Sequence, residues 1–165
     1  DRLGIPESAP PADQRDPVTG AGTPSQLLIS LDYEHTRATR YGHPLTCMVV
    51  RVSNAEALAA SSEDGTADRA MALVGTGLKQ CIRAVDHLFR LRRDEFCILL
   101  PETDGRGAGF VLRRLEGQAT SGELWREDLD PAPLVDISSI STPETSVKSG
   151  DDLLKKTRHA LPRRG

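Results

Sequence analysis

The chain has 165 residues, a formal net charge of −3 and 38% apolar residues, which is enough for one modest hydrophobic core. With 21 basic and 24 acidic residues, it does not have the charge excess of a nucleic-acid-binding surface. Since it contains no run of 18 apolar residues and no apolar N-terminal block, the sequence predicts neither a membrane span nor a signal peptide.

The three cysteines, Cys47, Cys81 and Cys97, each lie inside an apolar run. They form no CxxC pair and no cluster with histidines. This pattern is typical of buried, reduced thiols in a cytoplasmic protein, and it argues against a zinc site or a disulfide framework.

The first half of the chain predicts a tail followed by regular elements. Residues 1–15 are rich in proline and charge, so the folded domain is expected to span 16–165. Thr23-Pro24 is typical of a helix start, and the YGHP sequence at 41–44 is typical of its end. The run LTCMVVRV at 45–52 then predicts a buried strand.

The second half continues the alternation of helices and strands. It first predicts a helix at 67–83, and then strands at 87–91 and 96–100 around a polar turn at 92–95. A helix capped by Thr103-Asp104 follows, and after it a loop at 117–132 and a strand at 134–141. The last helix is predicted to start at Asp151 or Asp152 and to stop at Pro162. The order α, β, α, β, β, α, β, α indicates an α/β fold, built as an α+β sandwich. Its middle part predicts a ferredoxin-like βαββαβ core with flanking helices.

The clearest motif is the predicted hairpin at 89–101, with the sequence FRLRRDEFCILLP. It resembles the signature hairpin of diguanylate cyclase (GGDEF) domains. Other pieces resemble the same family in the same order: DPVTG at 16–20, RYGHPL at 40–45, Asp68 at a helix start, and DLL at 152–154. The resemblance implies a nucleotide-cyclase-like fold over nearly the whole predicted domain.

Several positions depart from what the resemblance implies for an active enzyme. Active members condense two GTP molecules into cyclic di-GMP, a bacterial second messenger, with two magnesium ions. Arg51 stands at the position of their metal-binding aspartate, and Ser53 stands at the next family aspartate. Arg92 and Arg93 replace the paired glycines of the hairpin, so we expect a remodelled turn, because arginine disfavours positive φ.

Asp94 and Glu95 persist as the remaining acids of that metal site. We expect Arg51 to pair with one of them and to replace the metal by an internal cation, since a guanidinium cannot ligate Mg²⁺ and repels it. The sequence therefore predicts an inactive cyclase with no catalytic residues, no metal and no cofactor.

An R-x-x-D tetrad, from Arg83 to Asp86, precedes the hairpin turn by five residues. The resemblance implies that this tetrad is the family's product-binding inhibitory site, with Arg90 and Arg114 as further ligand contacts. The chemistry suits cyclic di-GMP, because guanidinium groups engage guanine acceptors and phosphodiesters. The Asp86 carboxylate suits the N1–H and N2–H donors of guanine.

Two functions follow from these residues. The first is a catalytically inactive GGDEF-like receptor or effector for cyclic di-GMP, which signals through an attached domain, a protein partner or a homodimer bridged at Arg114. The alternative is a nucleotide-independent interaction or dimerisation scaffold in a signalling protein, because an Arg–Asp pair at i, i+3 is usually a solvated ion pair. A GTP-binding regulator is a third hypothesis, which Arg51 and the two hairpin arginines disfavour.

Overall fold

A four-stranded sheet lies at the centre of the molecule, with helices on both of its faces. The computed structural model describes residues 14–60, 65–121, 129 and 131–163, so residues 1–13 of the predicted tail lie outside the described part. In chain order the elements are α1 (Pro24–Tyr41), β1 (Leu45–Val52), α2 (Ala55–Ala59), α3 (Thr66–Cys81), β2 (His87–Arg92), β3 (Glu95–Pro101), α4 (Gly105–Ser121), β4 (Val135–Thr142) and α5 (Gly150–His159).

The strands are all antiparallel to their neighbours and follow the order β2-β3-β1-β4. This is the order of a ferredoxin-like core, so the predicted fold class is confirmed. The central strands β1 and β3 are buried along almost their whole length. They consist of continuous apolar runs because helices cover both faces of the sheet.

The two faces of the sheet carry separate hydrophobic clusters, since successive side chains of a strand point to opposite sides. Met48 and Val50 of β1 pack with residues of α3 and α4 in one cluster. Cys47 and Val49, on the other face, pack with residues of α1 and α5. One face of β1 therefore packs against α3 and α4, and the other face packs against α1 and α5.

Helix α1 begins and ends where the sequence predicts. The Thr23 hydroxyl accepts a hydrogen bond from the Gln26 backbone, and the Gln26 side chain accepts one from the Thr23 backbone, so the two residues form a capping box around Pro24. At the other end Gly42 takes the left-handed conformation, with φ of 69°, and its N–H donates to the Ala38 carbonyl.

Three boundaries differ from the sequence-based prediction. Helix α4 continues to Ser121, so residues 117–121 of the predicted loop are helical, because Ala119 packs against the core. The short helix α2 was not predicted, and its Leu58 is buried. Helix α3 stops at Cys81, two residues before the predicted end. Residues 122–128 of the predicted loop lie outside the described part of the chain.

Candidate functional site

Arg83 and Asp86 lie in the loop between α3 and β2, where they bind each other. Asp86 Oδ2 accepts hydrogen bonds from the Arg83 backbone N at 2.8 Å and from Arg83 Nε at 3.3 Å, and Oδ1 accepts from Nη2 at 3.0 Å. The bond to the backbone N–H closes a tight turn at 83–86, just after the end of α3 at Cys81. Hydrogen bonding to Asp86 raises the pKa of the Arg83 guanidinium, although partial burial acts against it.

The two members of this pair differ in access to solvent. The Asp86 side chain is 1% exposed, whereas the Arg83 side chain is 55% exposed. Arg83 Nη2 also donates to the Pro101 carbonyl at 3.0 Å and to Thr103 Oγ1 at 2.9 Å, where β3 leads into α4. Arg83 Nη1 forms no hydrogen bond with any described residue. The guanidinium is therefore held along the edge formed by Nε and Nη2, and Nη1 lies away from that edge.

Arg114 lies beside this loop. It projects from α4, and its Nη1 donates to the Cys81 carbonyl at the end of α3, at 2.6 Å. Cys81 is two residues before Arg83 in the chain. The structure therefore brings three of the predicted ligand-binding residues, Arg83, Asp86 and Arg114, to the same corner of the domain.

Arg90, the fourth predicted ligand contact, has a different set of partners. Its Nε donates to the Arg92 carbonyl at 3.1 Å, Nη2 donates to the Arg93 carbonyl at 2.6 Å, and Nη1 binds Asp16 Oδ2 at 3.1 Å. Burial alone would raise the pKa of Asp16, but hydrogen bonds from Thr19 and Arg90 outweigh it and lower that pKa. Arg90 thus links the hairpin turn to Asp16, in the segment before α1.

The position of Arg90 in the sheet separates it from the R-x-x-D pair. Arg90 lies opposite Phe96 on β3, whereas Arg83 contacts Pro101, five residues further along that strand. Five residues of an antiparallel strand span about 17 Å. Arg90 is also buried, with 8% of its surface exposed. The structure therefore does not bring Arg90 to Arg83 and Asp86.

The hairpin turn is shorter than the predicted polar turn at 92–95. Arg92 pairs with Glu95 across the hairpin, so only Arg93 and Asp94 form the turn, and the register shifts between Arg90 and Arg92. Neither Arg93 nor Asp94, the two residues of this turn, has a positive φ. Arg92, at the end of β2, and Arg93, in the turn, therefore do not adopt the left-handed backbone that glycines favour.

The buried acid of the hairpin, Glu95, is bound by an arginine from the last helix. Arg158 of α5 donates from Nε to Oε1 at 2.8 Å and from Nη2 to Oε2 at 3.1 Å, and the Glu95 side chain is 4% exposed. Arg51 donates instead to the Pro162 carbonyl. The expected pairing of Arg51 with Asp94 or Glu95 is therefore wrong, because Arg158 occupies both oxygens of Glu95.

Residues 13–163 match the protein family described as diguanylate cyclase, GGDEF domain. The chain belongs to the GGDEF family. This finding confirms the family that the hairpin motif predicts. None of the curated proteins matches the chain in sequence.

Solved GGDEF domains share the fold of this GGDEF domain. That of DgcB from Caulobacter crescentus, solved in complex with c-di-GMP, has a TM-score of 0.78 at 15% identity, over 93% of this chain and 90% of that chain. The FimX GGDEF domain from Pseudomonas aeruginosa has a TM-score of 0.78 at 19% identity, over 88% and 90%. Diguanylate cyclase SiaD from P. aeruginosa, solved with its activator SiaC, has a TM-score of 0.68 at 23% identity, over 91% and 60%.

A small cavity of about 120 Å³ lies beside the hairpin of this GGDEF domain. Its polar lining consists of Asp68, Arg90 and Arg93, and its apolar lining comes from β1, α2 and α3. Asp68, the helix-start aspartate of the family resemblance, is therefore one of the residues that line this cavity. Among the described helices, none is both long and apolar enough to cross a membrane.

Sequence reasoning missed two of the contacts that shape this region. Arg158 lies 63 residues from Glu95 in the chain, and no local pattern distinguishes it from the neighbouring basic residues of the last helix. Asp16 belongs to the DPVTG segment at 16–20, but its contact with Arg90 joins residues 74 positions apart. These partners are brought together by the packing of α5 and of the segment before α1 against the hairpin.

Proposed function

We propose that this GGDEF domain is a receptor for cyclic di-GMP that does not carry out the cyclase reaction. The observation that carries the proposal is the Arg83–Asp86 pair, in which a buried carboxylate orients a half-exposed guanidinium. The GGDEF domain of DgcB, which shares the fold, was solved in complex with c-di-GMP. At least one solved domain with this fold therefore has that ligand bound.

The arrangement suits a dianionic guanine dinucleotide. A planar guanidinium engages guanine O6 and N7, or the two oxygens of a phosphodiester, through paired hydrogen bonds. Asp86 fixes the Arg83 side chain before the ligand arrives, which reduces the entropy lost on binding. Arg114 adds a second cation at the same corner. In this proposal Asp86 positions Arg83, since its own oxygens already accept three hydrogen bonds.

The residues at the former metal position support the absence of cyclase chemistry. Mg²⁺ requires oxygen ligands in near-octahedral geometry. The resemblance puts Arg51 where the family has a metal-binding aspartate, and both oxygens of Glu95 accept from Arg158. Two guanidinium groups in this region repel a divalent cation. These residues do not fit a magnesium site, and we derive no reaction step through one.

Isothermal titration calorimetry with cyclic di-GMP tests the receptor function. We expect wild-type protein to bind with micromolar or tighter affinity and Arg83→Ala to give no heat. Arg40→Ala, which removes an exposed arginine at the end of α1, and Asp94→Ala are controls that should bind as wild type. Absence of heat with folded wild-type protein overturns the proposal.

Arg83→Ala also leaves the buried Asp86 with fewer partners, so its thermal unfolding must be compared with wild type. Arg114→Ala provides a second variant, because within the described residues its exposed side chain makes a single hydrogen bond, to a backbone carbonyl. We expect it to fold normally and to bind several-fold more weakly. Incubation of wild-type protein with GTP and Mg²⁺ should yield no cyclic di-GMP, and product formation overturns the proposed inactivity.

The burial of Asp86 also favours a second candidate function, a nucleotide-independent interaction scaffold. The Asp86 side chain is 1% exposed and both of its oxygens accept hydrogen bonds from Arg83, as in an ion pair that only stabilises the fold. This candidate predicts a protein partner whose binding is insensitive to cyclic di-GMP and tolerates Arg83→Ala. Calorimetry that shows ligand binding in wild type and its loss in Arg83→Ala excludes a purely structural role for the pair.

A further inference from the structure

An exposed aromatic side chain on α4 is paired with an arginine near the R-x-x-D corner. Phe110 is 52% exposed, which is unusual for a phenylalanine in a domain with few aromatic residues. Arg113 Cζ lies 4.9 Å from the centre of its ring. An aromatic ring has two faces, so a ring that is half in solvent retains surface on which a planar group can stack.

The first three turns of α4 run alongside the R-x-x-D loop. Just before the helix begins, Thr103 accepts a hydrogen bond from Arg83, and further along the helix Arg114 donates to the Cys81 carbonyl. Phe110 lies between these two contacts, one turn before Arg114 on the same helix face. Side chains at i and i+4 on a helix have Cβ atoms about 5–6 Å apart. Phe110 is therefore adjacent to the predicted ligand contacts.

The local charge favours an anionic aromatic ligand. The segment 106–114 contains Arg106, Arg113 and Arg114 and no acidic residue. Arg83 is paired with Asp86 and also interacts with Glu102, so the positive charge of this corner is concentrated on the stretch of α4 around Phe110. A neutral apolar ligand would use the ring but not this charge, whereas a guanine dinucleotide uses both.

We propose that Phe110 and Arg113 form a stacking platform that receives one guanine base of cyclic di-GMP while Arg83 and Arg114 bind its polar edges. The inference rests on the proposed receptor function and adds two ligand contacts to it. Stacking of a base on an aromatic side chain is largely independent of hydrogen-bond recognition, because it uses the π-face of the base. Arg113 contributes by orienting the ring and by its charge.

Calorimetry of three variants tests the platform. We expect Phe110→Ala to weaken cyclic di-GMP binding by about 5- to 150-fold, the range for loss of one base–aromatic stack. Phe110→Tyr, which retains the ring, should bind as wild type. Tyr41→Ala is the matched control, since Tyr41 is also an exposed aromatic beside an arginine, with Arg40 Cζ 6.0 Å from its ring, but lies on α1. It should also bind as wild type.

Fluorescence provides a direct measure of stacking. The chain has one tryptophan, so Trp125→Phe gives a silent background into which Phe110→Trp or Tyr41→Trp is introduced. Cyclic di-GMP should quench the tryptophan at 110 and not the one at 41. If Phe110→Ala binds as tightly as wild type, the platform is overturned while the receptor function stands. If wild type gives no heat, both are overturned.

Discussion

Arg158 on the last helix and Glu95 in the hairpin form a two-point ion pair across 63 residues of sequence, with N–O distances of 2.8 and 3.1 Å. The Glu95 carboxylate is almost fully buried, and the Arg158 side chain is 32% exposed. Hydrogen bonding to Glu95 raises the pKa of the guanidinium despite its partial burial. This pair attaches α5 to the part of the domain where the resemblance implies the cyclase signature.

Removing Arg158 is expected to destabilise the domain because Glu95 remains buried without its partner. Arg158→Met should lower the free energy of unfolding by about 3–5 kcal/mol. The double variant Glu95→Leu with Arg158→Met should be more stable than Arg158→Met alone, since it removes the unpaired charge. Urea denaturation measures both.

The matched control is Lys155→Met on the same helix, whose ion pair with Asp151 is exposed on both sides. It should leave the free energy of unfolding nearly unchanged, because exposed ion pairs contribute little. If the double variant loses as much free energy of unfolding as its two single variants together, Glu95 and Arg158 do not act as a pair.

Arg90 is expected to affect stability but not ligand affinity. Arg90→Met removes the hydrogen bonds to Asp16 and to the turn carbonyls, and should lower the free energy of unfolding by about 2–3 kcal/mol. Cyclic di-GMP affinity measured by calorimetry should not change. If Arg90→Met loses ligand binding while its free energy of unfolding is unchanged, Arg90 is a ligand contact.

Acid should destabilise the domain partly through Glu34, a buried carboxylate on α1. Burial alone would raise the pKa of Glu34, but hydrogen bonding from His87 and the nearby Arg37 outweigh it, so its pKa in the folded state lies below the usual 4.5. A carboxyl group with a lowered folded pKa contributes stability above its unfolded pKa and loses it as the pH falls through the folded value.

Unfolding free energies measured at pH values from neutral to below 4.5 test this contribution. The wild type should lose stability over the acid part of this range, and Glu34→Gln should lose less over the same range. Equal pH slopes for the two proteins would assign the acid sensitivity to other groups.

The cysteine thiols are expected to be unreactive in the folded protein. Cys47 and Cys97 are fully buried with their sulfur atoms 3.6 Å apart, and Cys81 is 1% exposed. The hydrogen bond with Cys47, together with burial, raises the pKa of the Cys97 thiol, and burial raises that of Cys81. Thiolate is the reacting form, so a disulfide reagent should label the native protein slowly and label all three thiols in concentrated guanidinium chloride. Rapid labelling of native protein would contradict the described burial.

Gly22 is expected to tolerate no side chain, because it bridges to Phe89 on β2. A Cβ atom at this position would lie 2.5 Å from Phe89 Cδ1. Gly22→Ala should therefore destabilise the domain by about 1–3 kcal/mol. Gly109→Ala is the control: its Cβ atom would meet no atom within 4 Å, and in a helix interior it should stabilise by about 1 kcal/mol. Thermal unfolding of the two variants should shift in opposite directions.

Local signals in the sequence predict most of the fold. The cap at Thr23, the apolar run of β1 and the hairpin are each encoded within a few neighbouring residues, and all three are confirmed. The sequence after residue 117 resembles a loop, whereas in the structure α4 continues because Ala119 is partly buried against the folded core. Helix propensity is a weak signal compared with tertiary packing.

By itself, the sequence determined the family, the order of the main elements, and the Arg83–Asp86 pair, whose members are three residues apart. The contacts of Arg90 with Asp16, of Glu95 with Arg158 and of Arg51 with Pro162 join residues 74, 63 and 111 positions apart, and they follow from the folded structure. The physical reason is that an arginine binds many carboxylates and carbonyls equally well. Which of them it meets depends on strand register and helix packing, and these are properties of the whole fold.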